Sequence, residues 1–168
     1  MSRLGRYLAV DWGERRIGLA ASDPTGTIAS PAGHIVRRAG KRPPIAELIR
    51  RAEALDARGF VVGLPLDEQG GETDRSREVR AAADALGQRT GLPVLLVDER
   101  YTTAIALRAV RELGGDTRGR KGDIDSLAAT VLLQHAMRSA ELTGERNADP
   151  ESDPGLPNTR ASNDDELQ

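Results

Sequence analysis

Three carboxylates, Asp11, Glu99 and Asp125, stand where a protein of strands and helices can bring acids together. Asp11 follows the apolar run Leu8-Ala9-Val10 and precedes Trp12-Gly13. Glu99 follows Val94–Val97 with only Asp98 between, and Asp125 lies within Gly122-Asp123-Ile124-Asp125-Ser126-Leu127-Ala128-Ala129. A carboxylate inside an apolar strand is costly to bury unless it is paired or coordinates a metal. The C-terminal end of a buried strand is where open α/β sheets bind ligands. Each acid also has a local reading: Asp11 as a turn or edge residue, Glu99 as a partner of Arg100 or a neighbour, Asp123 or Asp125 as a helix cap. Taken together, carboxylates without Cys or His partners make a hard-oxygen donor set suited to Mg²⁺ or Mn²⁺. Two such ions flanking a phosphate activate water and stabilise the leaving oxygen of an in-line displacement.

Basic residues accompany the acids. Arg15-Arg16 comes directly after the Asp11 segment, and Arg118, Arg120 and Lys121 end the glycine-rich stretch that begins at Gly114 and leads to Asp125. A further run, Arg37-Arg38 with Lys41-Arg42, precedes the first expected helix. Such placement suits a rim that tracks phosphates around the acids. Arg50, Arg51, Arg75, Arg77 and Arg80 fall on expected helix faces and read as ordinary charged surface.

The whole chain of 168 residues has a formal net charge of −2, which argues at first against a polyanionic partner. The charge is unevenly spread. Residues 1–140 hold 22 Lys and Arg against 18 Asp and Glu, whereas the remaining 28 hold two against eight. A modestly basic folded part therefore precedes an acidic tail. With no cysteine, the chain has no disulfides, thiolate nucleophile or Cys-based metal site. Only His34 and His135 supply imidazole, and one Trp, two Tyr and one Phe cannot build a base-stacking platform. No apolar run approaches a membrane span and the N-terminus lacks a signal-peptide pattern, so a soluble, cytoplasmic protein is expected.

The elements that must position these residues follow from periodicity. Tyr7–Trp12 and Ile17–Ser22 read as paired strands around a glycine-containing connection, and Thr27–Val36 as a third strand after the turn Asp23-Pro24-Thr25-Gly26. Pro43–Ala57 reads as an amphipathic helix, Phe60–Leu64 as a buried strand, Thr73–Arg89 as a polar helix and Val94–Val97 as a second buried strand. Ala104–Leu113 and Ile124–Leu142 are expected to be helices. This order implies a mixed sheet, antiparallel on one side and parallel on the other, covered by helices. The tail from Thr143 to Gln168 has too little apolar surface to offset the entropy of ordering, so two regions are expected, a folded domain over 1–142 and a disordered tail over 143–168.

The run Asp11-Trp12-Gly13-Glu14-Arg15-Arg16-Ile17-Gly18-Leu19-Ala20 resembles the opening motif of the YqgF/RuvX family, Holliday-junction-resolvase-like proteins also called pre-16S rRNA nucleases. Val61-Val62-Gly63-Leu64-Pro65, Val97-Asp98-Glu99-Arg100-Tyr101-Thr102-Thr103, and Lys121 with Ile124-Asp125-Ser126-Leu127-Ala128-Ala129 resemble it in the same order. The resemblance implies an α/β, RNase H-like fold with a mixed five-stranded sheet and helices on both faces. It implies a divalent-metal-dependent nuclease that processes the 5′ end of pre-16S rRNA, with branched DNA as the other substrate class. Asp11, Glu99 and Asp125 would be the Mg²⁺ or Mn²⁺ ligands. Arg16 and Lys121 would act in catalysis, and Arg15, Arg100, Thr102, Thr103, Arg118 and Arg120 would contact structured RNA or branched DNA. The protein is expected as a monomer or homodimer. The chain departs from the classical resolvases in the last helix, where Asp123 and Asp125 are two apart and do not share a helix face. That leaves a fourth ligand absent, replaced by water, or supplied by Asp98 or Asp123 as alternatives. Two other readings are an actin-like or sugar-kinase ATPase, for which the chain is too short, and a non-catalytic RNA-binding, transcription-associated factor.

Overall fold

The computed structural model describes residues 5–38, 40–102 and 121–146, the last of these with side chains from 126 to 139. Along the described chain run β1 (Arg6–Trp12), β2 (Arg16–Ser22), β3 (Ala29–Val36), α1 (Ile45–Ala54), β4 (Ala57–Leu64), α2 (Asp74–Thr90), β5 (Val94–Asp98) and α3 (Lys121–Arg146). A single 3-10 turn, Glu99–Tyr101, follows β5. The sheet order is β3-β2-β1-β4-β5. β1 pairs antiparallel with β2, and β2 with β3, while β1 pairs parallel with β4, and β4 with β5. The expected mixed sheet is therefore present, with β1 at its centre.

Alternation along the strands divides the core into two layers. Leu8, Val10 and Trp12 of β1 join Ile17, Leu19, Phe60, Val62 and Leu64 on one face, covered by Leu48 of α1 and Val79 and Leu86 of α2. Tyr7 and Ala9 join Ala20, Val61 and Val97 on the other face, covered by Ala129, Leu132, Leu133 and Ala136 of α3. The first layer holds the bulk of the large side chains; fully burying each stabilises the fold by about 1.5–3 kcal/mol relative to exposure. The second is rich in alanine, so α3 can pack close to the sheet.

Several element boundaries differ from the sequence expectation, each for a local reason. β3 starts at Ala29 rather than Thr27 because the Asp23 carboxylate accepts the backbone N–H groups of Thr27 and Ile28, both at 2.9 Å, and holds them in the turn. These bonds, that from Ile28 foremost, hold the Asp23 carboxyl well below the usual carboxylate range. α1 starts at Ile45 because Pro44 is non-helical (φ −80°, ψ 57°), and the chain leaves the helix through Asp56 at φ 49°. β4 starts at Ala57 because pairing with β1 runs through Ala57 and Gly59 while Arg58 points to solvent. α3 begins at Lys121 and continues to Arg146, four residues into the segment assigned to the tail. Propagating an existing helix needs only one backbone bond per residue and no buried surface. The expected helix 104–113 and residues 147–168 lie outside the described residues.

Candidate active site

Asp11 is fully buried, at 0% exposure. Two residues beyond Ala9, it follows the alternation of Tyr7 and Ala9 and so lies on the α3 face of the central strand. Its neighbour on β2 is Gly18, and Gly18 in turn pairs with His34 on β3. On the other side Val10 pairs with Val62, so the next step of the parallel register sets Gly63 of β4 beside Asp11. A glycine thus flanks the acid on each side, leaving the surface around a buried carboxylate without side-chain bulk.

Glu99 occupies one of those spaces. It is 1% exposed, and its carboxyl group lies over Gly63: a Cβ at that position would stand 3.1 Å from Glu99 Cδ. Gly63 pairs with Val97, whose side chain also belongs to the α3 layer. Asp11 and Glu99 therefore come to the same side of the sheet at its C-terminal edge.

Asp98 places Glu99. It ends β5, and its Oδ1 accepts the backbone N–H of Arg100 at 3.0 Å, capping the 3-10 turn. The turn closes where the Thr102 N–H and hydroxyl both donate to the Glu99 carbonyl at 3.1 Å. The Asp98 carboxylate also receives Arg100 Nε at 3.0–3.1 Å and Nη2 at 2.6 Å. The Arg100 guanidinium beside it holds its carboxyl below the usual range. Asp98 is thus committed within the fold, which speaks against it as a fourth ligand. Arg100 reaches further, donating to the Glu68 carbonyl at 3.3 Å and lying against Gly70, so it ties the turn to the loop after β4. Thr102 and Arg100, expected to touch nucleic acid, have these structural duties.

Asp125 and Lys121 lie in the first turns of α3. Asp125 occupies the helix position one turn before Ala129 and two before Leu132, both of which pack on the sheet. One residue later, buried Ser126 donates its hydroxyl to the Gly33 carbonyl of β3 at 2.6 Å. This bond docks the start of α3 next to His34, and so at the level of Gly18 and Asp11. Thr103, Arg118 and Arg120 lie outside the described residues. Among the described side chains no three His, Cys, Asp or Glu residues form a ready metal cage. The two carboxylates that are described fit a divalent ion in chemistry and burial, Gly63 making room for Glu99 beside the sheet.

Arg16 opens β2 and, by alternation with Ile17, shares the face of Gly18 and Asp11; Arg15 is exposed in the hairpin turn. Arg37, which the sequence placed on the phosphate-tracking rim, is instead engaged within the fold. Its guanidinium lies 5.4 Å from the centroid of the Trp12 ring, donates to the Gly13 carbonyl at 2.9 Å and pairs with Glu78 of α2. The segment directly after Asp11 is thereby fixed to β3 and α2. Arg50 and Arg51 pair with Glu47, Arg75 with Glu14, Arg77 with Asp74 and Arg80 with Glu72, in keeping with a charged surface.

Comparison with known proteins agrees with this geometry. The profile of the RuvX family, described as Holliday junction resolvase, matches residues 5–139. A Clavibacter michiganensis protein named "Putative pre-16S rRNA nuclease" is 40% identical over 142 residues, covering 84% of this chain and 88% of its own. A protein of the same name from Kineococcus radiotolerans is 42% identical, covering 84% of this chain and 76% of its own. Thermus thermophilus RuvC, solved with a Holliday junction substrate, superposes with a TM-score of 0.52 at 17% identity, covering 83% of this chain and 97% of that one. That likeness bears out the RNase H-like fold. Both the sequence match and the fold lead to one conclusion: the chain belongs to the RuvX family of nucleases.

Proposed function

We propose that this protein hydrolyses phosphodiester bonds in structured RNA at an acidic site formed by Asp11, Glu99 and Asp125, and that it trims the 5′ end of precursor 16S rRNA. The observation that carries the reading is the pair of buried carboxylates, Asp11 and Glu99, brought to one sheet edge around the bare Cα of Gly63. Burying two acids side by side is unfavourable unless positive charge compensates them. Mg²⁺ or Mn²⁺ held there would supply that charge, polarise the phosphate and ease deprotonation of an attacking water.

Each protein group has a definite part in this reading. Asp11 and Glu99 are fixed ligands because a central strand and a capped turn set their positions. Asp125 supplies the third carboxylate from the first turns of α3. Arg16, on the face of Asp11, and Lys121 stabilise negative charge that builds on the phosphate oxygens. Arg15, Arg118 and Arg120 meet flanking phosphates, and Thr103 a nearby backbone oxygen. The substrate name comes from the relatives, and the acidic site itself would accept either nucleic acid. Under equal Mg²⁺ or Mn²⁺, the purified full chain should therefore be given a precursor 16S 5′ segment, an unrelated single-stranded RNA and a four-way DNA junction. Preferential cleavage of the precursor supports the assignment. Preference for the junction would move the substrate to branched DNA, and no cleavage of any of them would remove the nuclease reading.

A further inference from the structure

A second charged feature lies off the same sheet edge, away from the acids. Between the end of β3 and the start of α1 is a depression of about 340 Å³ whose wall includes Arg37, Arg38, Lys41, Arg42 and Arg50, with Glu47 as its acidic residue. Ion pairs divide these cations into two kinds. Arg37 is held by Glu78 and by the Trp12 ring. Arg50 is held by Glu47, which also accepts Arg51 Nε at 3.1 Å; its hydrogen bonds from Arg50 and then Arg51 keep it ionised by holding its carboxyl below the usual range. Arg38, Lys41 and Arg42 are exposed and make no ion pair among the described residues.

The backbone gathers these three. The Lys41 N–H donates to the Arg38 carbonyl at 3.1 Å, closing a turn in which Gly40 takes a left-handed φ of 70°. Arg38 and Lys41 are thereby brought across the turn from each other, with Arg42 next in line. Three exposed cations so placed, with no ion pair among the described residues, make a positive surface that attracts an anion. Guanidinium groups suit phosphate oxygens because their fork can donate two bonds at once.

Register sets the distance to the acids. Asp11, Gly18 and His34 are aligned across three strands, and Val36 lies two residues further along β3 in the direction of the C-terminal edge. Two strand spacings and two residues of rise put Val36, at the rim of the depression, roughly 12 Å from Asp11 along the sheet, while the α1 wall of the depression lies on the opposite face. A backbone whose scissile phosphate sits at Asp11 reaches the rim at Val36 within a few nucleotides and enters the depression by passing around the C-terminal edge of the sheet.

We propose that this groove is a second subsite, in which Arg38, Lys41 and Arg42 bind the sugar-phosphate backbone of the nucleic acid on one side of the cleavage point. The proposal rests on the nuclease reading for the path of the substrate, but its contacts are independent of metal. The ligand chemistry is the phosphodiester backbone, common to RNA and DNA.

The test is equilibrium binding by the full chain in the presence of a chelator, so that no cleavage occurs. A fluorescently labelled single-stranded RNA and a DNA of the same sequence are titrated across about 50–200 mM salt. Wild type is compared with the triple variant Arg38→Ala/Lys41→Ala/Arg42→Ala and with a control of equal charge, Arg77→Ala/Arg80→Ala/Arg89→Ala on α2. All six side chains are exposed, and circular dichroism checks that both variants fold. The groove variant should bind about tenfold more weakly, with the slope of log K against log salt shallower by about 2. The control should match wild type. An unchanged slope in the groove variant, an equal change in the control, or absence of binding by wild type each overturns the proposal. A parallel cleavage assay of wild type with Mg²⁺ separates the two readings. Cleavage with an unchanged slope removes the groove and leaves the nuclease, whereas a shallower slope without cleavage keeps the groove and removes the acidic site's role. Equal effects on RNA and DNA are expected of a backbone contact, and an effect confined to one of them would overturn it.

Discussion

The carboxyl group of Glu99 rests on the Cα of Gly63, so closely that a Cβ there would lie 3.1 Å from both Glu99 Cδ and Cγ and nearer still to Oε1. The strand residue is a glycine because the acid needs its space. Gly63→Ala should therefore push Glu99 out of place while leaving the sheet paired. Overpacking of this kind costs about 1–3 kcal/mol, readable as a lower urea midpoint. Divalent-dependent cleavage should fall much further than stability. A variant as active as wild type would show that the position of Glu99 is unimportant.

Asp98 and Arg100 hold the turn that carries Glu99. Because its bond to Arg100 lowers the Asp98 pKa in the folded state, the pair stabilises the protein above the unfolded carboxyl value, about 3.9. That stability is lost as pH falls through the lower folded value. Asp98→Asn should cost about 1 kcal/mol at neutral pH, given the partial exposure of both groups. In urea unfolding, the gap to wild type should stay constant down to about pH 4 and shrink below it. A gap that widens in acid would contradict the assignment.

Arg37 serves Trp12, Gly13 and Glu78 together. Its removal in Arg37→Ala should cost about 2 kcal/mol, summing a cation–π contact, a hydrogen bond and a partly exposed ion pair. Arg37→Lys keeps the charge without the planar fork and should recover less than half. Full recovery by lysine would mean that charge alone matters there.

The sheet was legible because β1, β2 and β4 are short, mostly apolar runs bounded by turn residues, and the helix on one face because helix spacing survives in α1. Asp11 and Glu99 were legible because an acid inside or just after an apolar run breaks that pattern. The contact of Glu99 with Gly63 was not, since it depends on register between strands more than 30 residues apart in sequence. Nor were the contacts of Arg37, whose three partners come from β1, the hairpin turn and α2. The ends of β3 and α1 were misplaced because a side-chain carboxylate and a non-helical proline, rather than hydrophobic pattern, decide them.

Ser126 joins α3 to β3 through the Gly33 carbonyl. Ser126→Ala should cost about 1 kcal/mol and lower cleavage as well, because the adjacent turn carries Asp125. Loss of stability with unaltered cleavage would show that this docking does not set the position of Asp125.

The central claim is that Asp11, Glu99 and Asp125 act as one metal-holding set. Its most direct measurement is single-turnover cleavage of the preferred substrate by wild type, Asp11→Asn, Glu99→Gln and Asp125→Asn, with Mg²⁺ and Mn²⁺ varied and nucleic-acid binding measured alongside. The account predicts that each variant loses at least about 100-fold in rate, some 2.7 kcal/mol of transition-state stabilisation, while still binding the substrate. Cleavage at the wild-type rate by any of the three would contradict it.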